Sequence, residues 1–135
     1  MSIADRIRTV HDEVASACRD AGRDPAEVRV LGACKTKPVE LIREALTAGQ
    51  TLLAENRAQE LRDKAPLLAS HSPAPEWHFI GRLQKNKVKY VVPWARIIHT
   101  VDSIELAQAI SSRAPRDIGI LVQVNTGADA NKGGV

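Results

Sequence analysis

The feature that most constrains the fold is a repeated switch in hydrophobic period. Residues 28–34, 51–54, 77–80, 96–101 and 118–124 form short apolar runs that read as strands. Between them lie segments whose apolar residues recur every three or four positions, as on one face of a helix. The run centres fall about 20–25 residues apart, the length that a crossover helix and its turns require. Strands alternating with helices predict βαβ units and an α/β fold with a parallel sheet. Composition agrees: Val, Ile and Leu number 33 and aromatic residues only 4, which suits buried strands under helices.

Punctuation along the chain supports the same elements. A helix is predicted over 2–21, with Ser2 and Asp5 at its start, Gly22 at its end and Ile3, Ile7, Val10, Val14 and Ala17 inward. Pro38 suits the first turn of a second helix, which stops at Gly49. Residues 57–69 give a third, with Ala58, Leu61, Ala65 and Leu68 inward, and a Ser/Pro loop follows over 70–75. A fourth helix is expected from about 84 to 91. Asp102 and Glu105 have capping-box spacing for a fifth, with Ile104, Ala107 and Ile110 inward and Pro115 beyond its end.

Residues 1–135 are expected to form a single domain. Five strands would complete an open doubly wound sheet, or make just over half of an eight-stranded barrel, which needs about 250 residues. No helix follows the fifth run to cover it, so the barrel reading implies a chain cut short, with two unpaired edges that invite self-association. Cys18 and Cys34 are too few for a disulfide framework, and no Cys-x-x-Cys or His-x-x-x-His points to a metal. With no long apolar run and no signal-like N-terminus, a cytoplasmic protein is the default expectation.

In either architecture, function gathers at the carboxyl ends of the strands. The polar residues there are Lys35-Thr36-Lys37, Glu55-Asn56, Gly81-Arg82, Asp102-Ser103 and Asn125-Thr126-Gly127. Lys35 is the sharpest candidate. A packed stem and the neighbouring Lys37 would favour its neutral amine, the form that attacks a carbonyl to make a Schiff base. The alternative is a lysine that simply reaches solvent from a strand end. No Gly-x-Gly-x-x-Gly supports a dinucleotide site. From Trp77 to Val101 five basic residues and no acidic one interleave with Tyr90 and Trp94, the pattern of a nucleic-acid strip or of a solvated helix face. A net charge of +3 does not argue for nucleic acid.

Several blocks in order along the whole chain resemble the pyridoxal phosphate homeostasis proteins, in their N-terminal portion. They are Ala33-Cys34-Lys35-Thr36-Lys37-Pro38, Glu55-Asn56-Arg57-Ala58-Gln59-Glu60 and the stretch from Trp77-His78-Phe79-Ile80-Gly81-Arg82 to Lys87. His99-Thr100-Val101-Asp102-Ser103 and Gln123-Val124-Asn125-Thr126 through Gly134 match as well. The resemblance implies a barrel like the N-terminal domain of alanine racemase, here ending after about five strands. It implies pyridoxal 5′-phosphate (PLP) as cofactor, bound through a Schiff base at Lys35, with Asn56 beside the ring. His78 is a candidate for cofactor contact, His99 a structural residue and Cys34 inert packing. Ala54 stands where the family signature has glycine. The implied role is PLP homeostasis or carriage without turnover. A racemase-like enzyme is the alternative, for which Tyr90, on a helix, is poorly placed. The family's phosphate-binding loops lie near its last two strands, which this sequence lacks. PLP affinity is therefore expected to fall at least about a hundredfold relative to a complete barrel.

Overall fold

The computed structural model describes residues 1–135. Helix α1 (Ile3–Asp20) opens the chain, followed by a short turn at Pro25–Glu27. Then come β1 (Gly32–Ala33), α2 (Val39–Thr47), β2 (Leu52–Glu55), α3 (Ala58–Leu68) and β3 (Glu76–Phe79). A 3₁₀ turn at Lys85–Lys87 leads into α4 (Val88–Val91), and β4 (Ala95–Val101), α5 (Ile104–Arg113) and β5 (Gly119–Val122) complete the fold.

All five strands are parallel and lie in the order β1-β2-β3-β4-β5. This order decides between the two architectures left open by the sequence. A doubly wound sheet reverses its strand order at a switch point and places helices on both faces. Here each strand pairs with the next, and α1 to α5 pack in succession against one another. The result is an arc of a (β/α) barrel with one layer of helices outside it.

Strand alternation sorts the side chains. Leu53, Trp77, Phe79 and Ile98 join Ile42, Leu46, Leu61, Leu68, Val88 and Leu106 in the core between sheet and helices. Ala54 and His78, paired across β2 and β3, face the opposite way, into the concave side. No helix is long and apolar enough to cross a membrane.

Several expectations are corrected. The strand expected over 28–34 pairs only at Gly32 and Ala33, because β1 is an edge with a partner on one side. In α1, Val10 and Ala17 are exposed and Cys18 is the buried residue. That helix rests mainly on α2 and the Pro25–Glu27 turn, so its inward face is narrow. The N-cap of α5 is Ser103, whose hydroxyl accepts the Leu106 N–H. Asp102 instead accepts the Gly134 N–H, and Ile104, expected inward, is 73% exposed while Leu106 and Ile110 are buried. The helix expected over 84–91 divides into a 3₁₀ turn and a single α turn.

Candidate functional site

Parallel pairing lines up the residues that follow β1, β2 and β3. Ala33 pairs with Ala54, and Ala54 with His78. Beyond the paired residues the Cys34 N–H still donates to the Ala54 carbonyl and the Ile80 N–H to the Glu55 carbonyl, so Lys35, Asn56 and Ile80 follow at the carboxyl ends of their strands. His78 sits one layer deeper, roughly 6.6 Å along the strand. Lys35 and Asn56 thus both follow adjacent parallel strands at the same end of the sheet.

Lys35 is exposed, not packed along its stem as expected, because β1 ends at Ala33 and the chain has already turned away. The Cys34 carbonyl accepts the Lys37 N–H at 3.0 Å and closes a turn. Lys35 is its second residue and Thr36 its third, with φ of +61°. A β-branched side chain rarely adopts that conformation, so the turn is strained.

Behind this turn, on the helix side, lies a cluster not anticipated from the sequence. Glu55 is fully buried, and Lys64 Nζ donates to its Oε1 at 2.7 Å. The same ammonium donates to Glu60 Oε2 at 3.2 Å and to the Cys34 carbonyl at 3.0 Å. Burial pushes the Glu55 carboxyl up to about 7, with Lys64 opposing the rise and Glu60 adding to it. Burial also acts against the Lys64 ammonium, but its two carboxylate partners outweigh that and raise it. The only sequence signal for the cluster was the i, i+4 spacing of Glu60 and Lys64 on α3.

Asn56 carries a side-chain oxygen that is buried and has no hydrogen-bond donor. Its backbone carbonyl is crossed by Gly81, where a built Cβ would lie only 1.8 Å from the oxygen. Thr100 Oγ1 donates to the Gly81 carbonyl from β4, so the ends of β2, β3 and β4 interlock through one glycine. Two hollows of about 260 Å³ flank this crossing. One lies among Arg82, Thr100, Asp102 and Lys132, the other among Asn56, Arg57, Arg82 and Lys87. Arg82 is common to both, the best-placed cation for an anionic ligand at this end of the arc.

His78 is buried, and both ring nitrogens are taken. Nδ1 lies 2.9 Å from His99 Nε2, and Nε2 lies 3.0 Å from Glu76 Oε1. Glu76 is held in turn by Arg29 at 3.0 Å. Burial, together with the neighbouring His78, lowers the His99 pKa. Both His78 nitrogens are thus engaged within the protein, one of them by His99 of the next strand. Cys34 is buried and its thiol is pushed up to about 11, chiefly by burial, so it stays protonated and inert.

The basic stretch from 77 to 101 does not present the aromatics that base stacking needs. The Arg62 guanidinium already covers the Tyr90 ring at 4.8 Å, and Trp94 packs against the core. Tyr90 belongs to α4, in the helix layer and away from the concave face. No cluster of His, Cys, Asp and Glu suited to a metal is present.

No protein-family model matches the chain. It is 41% identical over 138 residues to the pyridoxal phosphate homeostasis protein of Aquifex aeolicus, an alignment covering 100% of this chain and 60% of that protein. To the protein of the same name from Vibrio cholerae it is 40% identical over 139 residues, covering 99% and 59%. Among solved structures, a protein from Bifidobacterium adolescentis superposes with a TM-score of 0.84 at 36% identity, over 98% of this chain and 58% of that one. PipY of Synechococcus elongatus, solved with PLP bound, gives a TM-score of 0.75 at 34% identity, over 93% and 58%. The chain thus spans about three-fifths of the length of the curated relatives it matches.

Proposed function

The chain is a homologue of the pyridoxal phosphate homeostasis proteins, and we propose that it binds pyridoxal 5′-phosphate at the carboxyl ends of its strands, through Lys35. The observation that supports this reading is that Lys35 and Asn56 follow adjacent parallel strands at the same end of the sheet, in a fold shared with PLP-bound PipY. Lys35 would supply the amine that condenses with the cofactor's aldehyde, with loss of water. Asn56 offers a buried oxygen without a donor, a fit for a ring hydroxyl or a protonated ring nitrogen. Arg82, shared by both hollows, meets the phosphate charge. His78, with both nitrogens engaged, supports the floor of the site and does not touch the cofactor.

Residues 1–135 act in this reading as one partial PLP-binding barrel domain, serving carriage rather than turnover. Tyr90 is held in the helix layer, away from the concave side. Two free, buried cysteines suit the reducing cytoplasm, where we place the protein. Its bare β5 edge, with Leu121 and Val122 at least half exposed, favours self-association.

The test is to add PLP, reduce with borohydride and map the modified lysines by mass spectrometry. Selective labelling of Lys35, lost in Lys35→Ala, is the expected result. Labelling spread evenly over Lys35, Lys37, Lys85 and Lys87 would mean only surface chemistry and would sink the assignment. Exchange of the α-proton of alanine at an enzyme-like rate would replace carriage with catalysis.

A further inference from the structure

Lys35 projects from a turn that is tied down at two points by charged side chains on the far side of the sheet. Its preceding carbonyl, on Cys34, accepts Lys64 Nζ at 3.0 Å, and its following amide, on Thr36, donates to Glu60 Oε2 at 3.3 Å. Both tethers meet at Lys64, which binds Glu55 and Glu60 together. We propose that Glu55, Lys64 and Glu60 are positioning residues that fix the Lys35 backbone and so aim its amine at the site, an inference resting on the Lys35 reading above.

Three observations favour positioning over stability alone. A buried ion pair is a poor stabiliser, since desolvating both charges offsets most of their attraction and apolar packing there serves as well. This one sits in an otherwise apolar layer, with the Glu55 side chain fully buried and Lys64 only 12% exposed. Lys64 also donates to the Cys34 carbonyl, and its second partner, Glu60, accepts the Thr36 N–H, so the cluster holds the two backbone atoms that bracket Lys35. Thr36, finally, holds a positive φ that glycine favours, and such strain persists only where surrounding contacts over-determine it. The Glu60 contact to its N–H is such a constraint. Without these tethers the turn is free to relax, and the exposed Lys35 side chain loses its fixed origin.

The experiment compares Lys64→Met, Lys64→Arg and Glu60→Ala with the wild-type chain, folding being checked by melting temperature. Before cofactor is added, trace acetylation with acetic anhydride reads Lys35 reactivity relative to Lys37 and Lys85. Hydrogen exchange at the Thr36 amide reads the Glu60 tether. In Glu60→Ala, whose parent side chain is already 24% exposed, exchange at Thr36 should rise and the acetylation ratio should change. PLP trapped at Lys35 under limiting cofactor should fall about tenfold, the effect of one charge-assisted hydrogen bond. Lys64→Met should do the same, and Lys64→Arg, which keeps a cationic donor, should recover part of the loss.

A folded Glu60→Ala protein with faster Thr36 exchange but wild-type trapping and acetylation at Lys35 would overturn the proposal. So would equal losses in Lys64→Met and Lys64→Arg. If Lys64→Met does not fold, Glu60→Ala decides alone. Failure of the wild-type chain to trap PLP selectively at Lys35 would instead reject the cofactor reading. The acetylation ratio would then still report whether the three residues set the geometry of Lys35.

Discussion

At the scale of single residues, the least replaceable position is Gly81. Any side chain there must push apart the backbones of β2 and β3, because a Cβ would meet the Asn56 carbonyl at 1.8 Å. Gly81→Ala should destabilise the fold by about 2–4 kcal/mol or prevent it, the range of severe overpacking. Urea denaturation measures this, and a loss below about 0.5 kcal/mol would show that the close approach relaxes without cost. Glu55 gives a pH signature. Its carboxyl is raised from 4.5 to about 7 in the fold, so the native state holds a proton that the unfolded chain releases. By linkage, stability falls as pH rises from about 4.5 to 7. Glu60, Glu76, Asp5 and Asp63 are lowered instead, and their contributions are lost as pH drops below their usual values, a separate window. Glu55→Gln should therefore flatten stability between pH 5 and pH 8, as read by denaturation at both. An unchanged slope would mean that Glu55 is ionised throughout.

At the scale of elements, α5 shows how packing chooses a cap and a buried face that periodicity leaves open. Asp102 and Ser103 are both good N-caps, and periodicity alone does not choose between them. The tertiary fold commits Asp102 to the Gly134 N–H, leaves Ser103 to cap Leu106, and turns Leu106 and Ile110 inward. Ile110→Ala should then cost about 2–4 kcal/mol through the cavity it leaves, whereas Ile104→Ala should stay within about 0.5 kcal/mol. Chemical denaturation of the two variants checks the buried face, and equal losses would contradict it. Helix α1 presents the opposite case. Its capping box was legible, and Ser2 and Asp5 exchange both bonds. Its buried face was not, because α1 packs chiefly on α2 and one turn.

At the scale of the whole molecule, the arc has two different edges. β1 is two residues long, whereas β5 leaves Ile120, Leu121 and Val122 exposed. Such an edge invites pairing with another chain. Sedimentation at tens of micromolar should show self-association that Val122→Lys reduces, and a wild-type chain that stays monomeric at that concentration would refute it.

What the sequence determined by itself was the local and periodic part: strands alternating with helices, a parallel α/β fold, Ser2 at the head of α1, and Lys35 and Asn56 at strand ends. These follow from side-chain period and backbone chemistry within a few residues, which a single chain displays openly. Only the tertiary structure decided the sequential strand order that makes a barrel arc, the pairing of His78 with His99 and the charged tether from Glu55, Lys64 and Glu60 to the Lys35 turn. Each of these joins residues from different elements. Register and the crossing of α3 over β1 and β2 set those contacts, and neither leaves a local pattern in the sequence.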